Sequence, residues 1–138
     1  MDKKSIVEGE KYFHQISFTQ NDVIKFAELT NDTNPIHLDE EYASKSIFKK
    51  TIVPGFLSGA VFSKVFGTLF PGIGTIYLYQ EMKFKKPVFV NENYLAEFEV
   101  LEIDRNKNRA TIYCKLIDLI GTIYIEGKAI VMHSDRIK

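Results

Sequence analysis

The sequence predicts an α+β fold in which a curved antiparallel sheet wraps one long central helix. Three observations carry that expectation. Residues 55–70 are apolar almost all round, so they read as a helix held inside the protein rather than on its surface. From Ile76 onward apolar and polar residues alternate with period two, the pattern of strands with one buried face. The last strands are joined by short connections, which favour antiparallel neighbours.

Taken in order, residues 12–18 are rich in aromatic and branched side chains and read as a strand. Thr19-Gln20-Asn21-Asp22 is an N-cap followed by an acid at N3, so a helix opens there. It carries Val23, Phe26, Ala27 and Leu29 and ends at the Asn31-Asp32-Thr33-Asn34-Pro35 turn. Asp39-Glu40-Glu41 starts a short second helix with its acids at the positive end of the dipole. Residues 46–54 connect it to the long helix, where Gly59, Ala60, Ser63 and Gly67 fall near one face and allow close approach. Pro71-Gly72-Ile73-Gly74 stops that helix.

In the second half, Ile76, Leu78, Met82 and Phe84 oppose Tyr77, Tyr79, Glu81, Lys83 and Lys85 on one predicted strand. Residues 94–103 form the next, and the parity slip at Leu101 and Ile103 predicts a bulge. Asp104-Arg105-Asn106-Lys107-Asn108 is a turn, and residues 110–116 and 122–131 complete four strands.

The 138 residues fit one domain, 1–138, large enough to bury a core without staples. Eighteen basic and eighteen acidic residues balance, which leaves no electrostatic footprint for nucleic acid or an anionic membrane. The lone Cys114 rules out an intramolecular disulfide and a cysteine-rich metal site, consistent with a reducing compartment, so cytoplasm is expected. The opening Met1-Asp2-Lys3-Lys4-Ser5 leads into no apolar run of signal-peptide type, and no segment is long enough to span a membrane.

Asp32 and His37 sit five residues apart in a segment that Pro35 keeps from being regular helix. A carboxylate and an imidazole are the minimum equipment for general acid/base work on a water molecule. Asn-Asp-Thr-Asn-Pro is equally ordinary turn chemistry, so residue chemistry alone leaves both readings open. His14 and His133 have no assigned role, and the three histidines lack metal-ligand spacing, so no metal is expected. The clusters Lys45, Lys49, Lys50 and Lys83, Lys85, Lys86 fit a solvated surface better than a phosphate-binding site.

Read together, Asp32-Thr33-Asn34-Pro35-Ile36-His37, Ile52-Val53-Pro54-Gly55, Ser63 and Phe84-Lys85-Lys86-Pro87-Val88-Phe89-Val90 resemble the MaoC-like, R-specific enoyl-CoA hydratases of the hot-dog fold. The resemblance runs from about Phe18 to the end of the chain. It implies a homodimer with sheets joined edge to edge, which would also cover an exposed strand edge. It implies that Asp32 and His37 do the proton transfers, that the Gly55 backbone N–H receives the thioester oxygen, that Ser63 supports the catalytic carboxylate and that Asn34 pins the loop. A helix-start N–H suits the oxyanion role, because it lacks an intrahelical partner and lies at the positive end of the dipole. Asp32 needs a raised pKa to act as an acid; His37 needs no shift.

The implied activity is reversible hydration of trans-2-enoyl-CoA to R-3-hydroxyacyl-CoA, with coenzyme A as part of the substrate and no separate cofactor. Rivals are dehydration of carrier-protein thioesters, a thioesterase on the same fold, and a non-catalytic acyl-binding subunit. One departure is Pro54, where many members carry His; it reads as a change of pocket lining rather than of reaction.

Overall fold

Local signals in the sequence set most element ends. The computed structural model describes residues 4–138, and the opening Met1-Asp2-Lys3 lies outside the described residues. After strand β1 (Lys11–Ile16), helix α1 (Gln20–Thr30) begins on a full capping box: the Asp22 N–H donates to Thr19 Oγ1 at 3.1 Å, and the Thr19 N–H donates to Asp22 Oδ2 at 2.9 Å. Such a cap stabilises a helix by about 1 kcal/mol. Asn31 ends α1 in the left-handed region at φ 61°, which a short amide side chain tolerates. Only Val23 and Ala27 of α1 are buried, while Leu29 is 83% exposed.

The loop that follows departs from expectation. Residues 35–38, read as non-helical, close into a one-turn helix α2 (Pro35–Leu38). Proline forbids helix only where an N–H must be donated, and Pro35 stands at the first helical position, where none is required. Asn34 caps the turn by accepting the Ile36 N–H. Asp39 then caps α3 (Glu40–Ser44), accepting the Tyr42 N–H at 3.1 Å.

Helix α4 (Gly55–Thr68) is the centre of the fold. Its Val61, Phe62, Val65 and Phe66 are buried against the inner faces of β4 (Tyr94–Asp104), β5 (Arg109–Asp118) and β6 (Ile123–Met132). Phe98 on β4 meets both Phe62 and Phe66 edge-on, at ring separations of 5.7 and 5.3 Å, contacts that add to the burial of their area. α4 is not enclosed all round: Phe56 is 73% exposed and Ala60 and Ser63 are also on the open side.

The strand expected over 76–85 is two strands, β2 (Ile76–Gln80) and β3 (Lys83–Phe84), both antiparallel to β6. At the break the Glu81 carbonyl oxygen lies 2.0 Å from where a Cβ on Gly127 would stand, so the crossing requires glycine in β6. The bulge predicted in β4 is present as a register shift between Val100 and Glu102. β4, β5 and β6 are sequential antiparallel neighbours, but β2 does not pair with β4. The six-stranded sheet runs β1-β4-β5-β6-β2, with β3 on β6. The sheet curves around α4 as the hot-dog expectation requires. No helix among the described residues is long and apolar enough to cross a membrane.

Candidate active site

The first turn of α4 and the α2 turn meet at one cavity of about 500 Å³, whose lining includes His37, Gly55, Ser58, Phe84, Val88 and Ile125. Backbone pairing brings these segments together. The Ile52 N–H donates to the Ile36 carbonyl at 3.2 Å, the Val53 N–H donates to the Val88 carbonyl at 2.7 Å, and Ile52 bridges Phe89.

His37 is half-buried and oriented from two sides. Its Nδ1 lies 2.8 Å from the Ile52 carbonyl oxygen. A carbonyl only accepts, so Nδ1 carries the proton and Nε2 is left as the basic nitrogen of the neutral ring. The His37 carbonyl accepts from Gln20 Nε2 at 3.0 Å, and Gln20 Oε1 accepts from the buried Thr51 hydroxyl at 3.2 Å. The start of α1, the α2 turn and the 51–53 segment are thereby tied into one unit.

Gly55 stands at the N-terminus of the 14-residue α4, where no side chain caps the free N–H groups. The Pro54 carbonyl accepts the Leu57 and Ser58 N–H groups, each at 3.0 Å. The Pro54–Gly55 peptide is trans and planar, so a carbonyl turned into the helix turns the Gly55 N–H outward. Ser58 reinforces that geometry. Its hydroxyl, 1% exposed, donates to the Gly55 carbonyl at 2.9 Å and lies 3.3 Å from the Pro54 carbonyl. Close approach at Gly55 is real, since an added Cβ would stand 2.7 Å from Phe84 Cε1.

The structure thus brings His37 and Gly55 to one cavity. It does not place the other expected site residues there. Asp32 is exposed in the loop between α1 and α2, its Oδ1 accepting the Asn34 N–H at 3.4 Å and its own N–H donating to Thr30 Oγ1 at 3.2 Å. Asn34 acts on the backbone of α2, as a loop-pinning residue should. Ser63 is exposed on a second groove with Gly59, Ala60 and Met82, beside β2. Ser58, Gln20 and Thr51 escaped the sequence reading. Ser58 reads in sequence as one more small residue of an apolar helix, and Gln20 and Thr51 meet across 31 residues with no local signal.

Among the described residues no group of three His, Cys, Asp or Glu side chains is arranged to hold a metal. Cys114 is buried in the core, and that burial pushes its thiol well above the usual range.

A family profile described as MaoC like domain matches residues 3–117. The chain belongs to that family. It is 37% identical over 131 residues to an (R)-specific enoyl-CoA hydratase of Aeromonas caviae, covering 95% of this chain and 98% of the relative. It is 35% identical to a mitochondrial 3-hydroxyacyl-[acyl-carrier-protein] dehydratase of Solanum lycopersicum, over 84% of this chain and 70% of that protein. The solved A. caviae (R)-hydratase, described as involved in PHA biosynthesis, superposes with a TM-score of 0.90 at 36% identity, covering 95% of this chain and 99% of the other. In this MaoC-like chain the hot-dog architecture therefore matches that of an R-hydratase over nearly its whole length.

Proposed function

We infer that this MaoC-like chain is a hydro-lyase that reversibly adds water to trans-2-enoyl-CoA, giving R-3-hydroxyacyl-CoA. The observation that carries the reading is His37 held with Nδ1 on the Ile52 carbonyl, lining the same cavity as the outward Gly55 N–H at the start of α4. That pairs a base with an oxyanion donor, which is what addition to an enoyl thioester demands. The high identity to an (R)-specific enoyl-CoA hydratase supports the same substrate class.

In the proposed step the water donates one hydrogen to His37 Nε2 and the other to the Asp32 oxygen not engaged in the loop. Its lone pair then attacks C3. As the C3–O bond forms, one water O–H bond breaks and its proton passes to the Asp32/His37 pair. The electrons of the double bond pass toward the thioester oxygen, and the Gly55 N–H stabilises that charge. The pair then gives one proton to C2, which restores the thioester and returns the pair to its starting state. Asp32 and His37 are the proposed catalytic residues, Gly55 the oxyanion donor, and Asn34 and Ser63 supporting residues. Coenzyme A enters as part of the substrate, and the step asks for no metal or redox cofactor. We place the enzyme in the cytoplasm as a homodimer joined along the open β2 edge, where Ile76, Leu78 and Tyr79 are exposed.

A second reading, dehydration of carrier-protein thioesters, draws support from the tomato relative. The deciding experiment is hydration of crotonyl-CoA, followed by loss of enoyl absorbance and chiral analysis of the product, with Asp32→Asn and His37→Gln beside the wild type. R-3-hydroxybutyryl-CoA is expected, with a rate loss of about 10²-fold or more in either variant. Turnover of crotonyl-carrier protein without turnover of crotonyl-CoA would favour the second reading, and thiol release from an acyl-CoA would indicate a thioesterase.

A further inference from the structure

We propose that Lys50 and Lys86 form a phosphate-binding site at the mouth of the His37 cavity, which receives the phosphates of coenzyme A. The proposal rests on the reading of the substrate as a coenzyme A thioester.

Sequence alone makes these lysines part of a solvated surface, and the fold changes their surroundings. The cavity wall is built from two chain segments, one containing Phe48, Ile52 and Val53 and the other Phe84, Lys86 and Val88. They run side by side through the Ile52–Phe89 bridge and the Val53–Val88 hydrogen bond. Lys50 lies within the first segment and Lys86 within the second. Lys86, with its neighbour Lys85, lines the cavity that holds His37 and Gly55, and Lys50 lies in sequence between the lining residues Phe48 and Ile52 of the facing segment.

Neither ammonium is engaged in an ion pair among the described residues, whereas the adjacent Lys85 is 3.3 Å from Glu126. Lys50 is also placed: its Nζ stands 4.2 Å from the centroid of the Phe89 ring, on the opposite segment. Contact with an aromatic face orients the side chain while leaving the charge uncompensated.

The chemistry of the substrate says what belongs there. With the thioester carbonyl at Gly55 and the reacting carbon beside His37, the pantetheine arm must leave through the open side of the cavity, and it carries its phosphates outward. The chain has no net charge to attract them, so attraction has to be local. A lysine ammonium is a compact point charge well suited to a phosphate oxygen. An acyl carrier protein presents only one phosphodiester on the same arm, so a site with two free ammonium groups fits coenzyme A better.

The test compares crotonyl-CoA with crotonyl-pantetheine, which has the same thioester and no phosphate, in the wild type and in a Lys50→Ala/Lys86→Ala double variant. The double variant is expected to raise KM for crotonyl-CoA about tenfold with little change in kcat, to leave crotonyl-pantetheine kinetics at wild-type values, and to flatten the salt dependence of KM. Lys50→Arg/Lys86→Arg should restore most of the loss. An equal rise of KM on both thioesters, or an unchanged KM for crotonyl-CoA, overturns the proposal. So does a larger loss on crotonyl-carrier protein than on crotonyl-CoA, which would make the carrier the source of the phosphate. Calorimetric titration of free coenzyme A into both proteins needs no turnover. A dissociation constant raised about tenfold in the variant supports the site and an unchanged one overturns it. A wild type inactive on every thioester sinks the hydratase reading alone, because the titration still decides on the lysines.

Discussion

At the scale of single residues, the site depends on hydrogen bonds that each satisfy one group and aim another. The Ile52 carbonyl selects the tautomer of His37, and the Ser58 hydroxyl holds the first turn of α4 from inside. Ser58→Ala removes a buried donor and leaves the Gly55 carbonyl with one partner fewer, a cost of about 1 kcal/mol in stability. If Ser58 helps aim the Gly55 N–H, the larger effect falls on the chemical step. We expect kcat to fall about tenfold with KM nearly unchanged; a fall in thermal midpoint with normal kcat would reduce Ser58 to a packing residue. The proposed pair was named from Asp32-Thr33-Asn34-Pro35-Ile36-His37 because the motif is local, and of the two the structure brings His37 to the cavity. Ser58 was not singled out, since a serine three residues into an apolar helix looks like a small packing residue until its burial beside the cavity is known.

At the scale of elements, the fold turns on how β2 and β3 meet β6. The Glu81 N–H donates to the Lys128 carbonyl at 2.9 Å and the Lys128 N–H donates to Glu81 Oε1 at 3.3 Å. Between them the Glu81 carbonyl crosses over Gly127. Gly127→Ala would set a methyl group 2.0 Å from that backbone oxygen, where no rotamer change relieves the clash. We expect a loss of about 2–4 kcal/mol, read as a lowered urea midpoint at unchanged slope. Alternation predicted strand over 76–85 correctly in kind, but the break at Glu81 is set by a partner strand more than 40 residues away and leaves no local mark. The one-turn helix α2 was missed for a related reason. Proline was read as a helix breaker, and only its position at the first turn makes it a helix starter.

At the scale of the whole molecule, the open side of α4 and the edge strand β2 form one exposed apolar region that includes Phe56, Ile76, Leu78, Tyr79 and Phe84. Patches of this kind mark interfaces, and an unpaired strand edge invites another strand. Under the proposed homodimer, sedimentation equilibrium should return the mass of two chains. Leu78→Lys, which puts a charge on that edge, should shift the population toward one chain. A wild-type chain that sediments as a monomer at micromolar concentration would remove the dimer from the account.

The sequence by itself determined the fold class, the central helix and the β4 bulge, because period, capping and turn chemistry are properties of neighbours along the chain. Only the tertiary structure decided that β2 joins β6 rather than β4, that His37 faces a carbonyl 15 residues on, and that Asp32 stays exposed in the single chain. It alone showed that Lys86 lines the cavity and that Lys50 stands over the Phe89 ring, neither in an ion pair among the described residues. Those facts depend on strand order and on packing between distant segments, which composition and spacing do not encode locally. A lysine in solvent and a lysine at a cavity mouth have the same sequence neighbours; what distinguishes them is which wall the fold brings alongside.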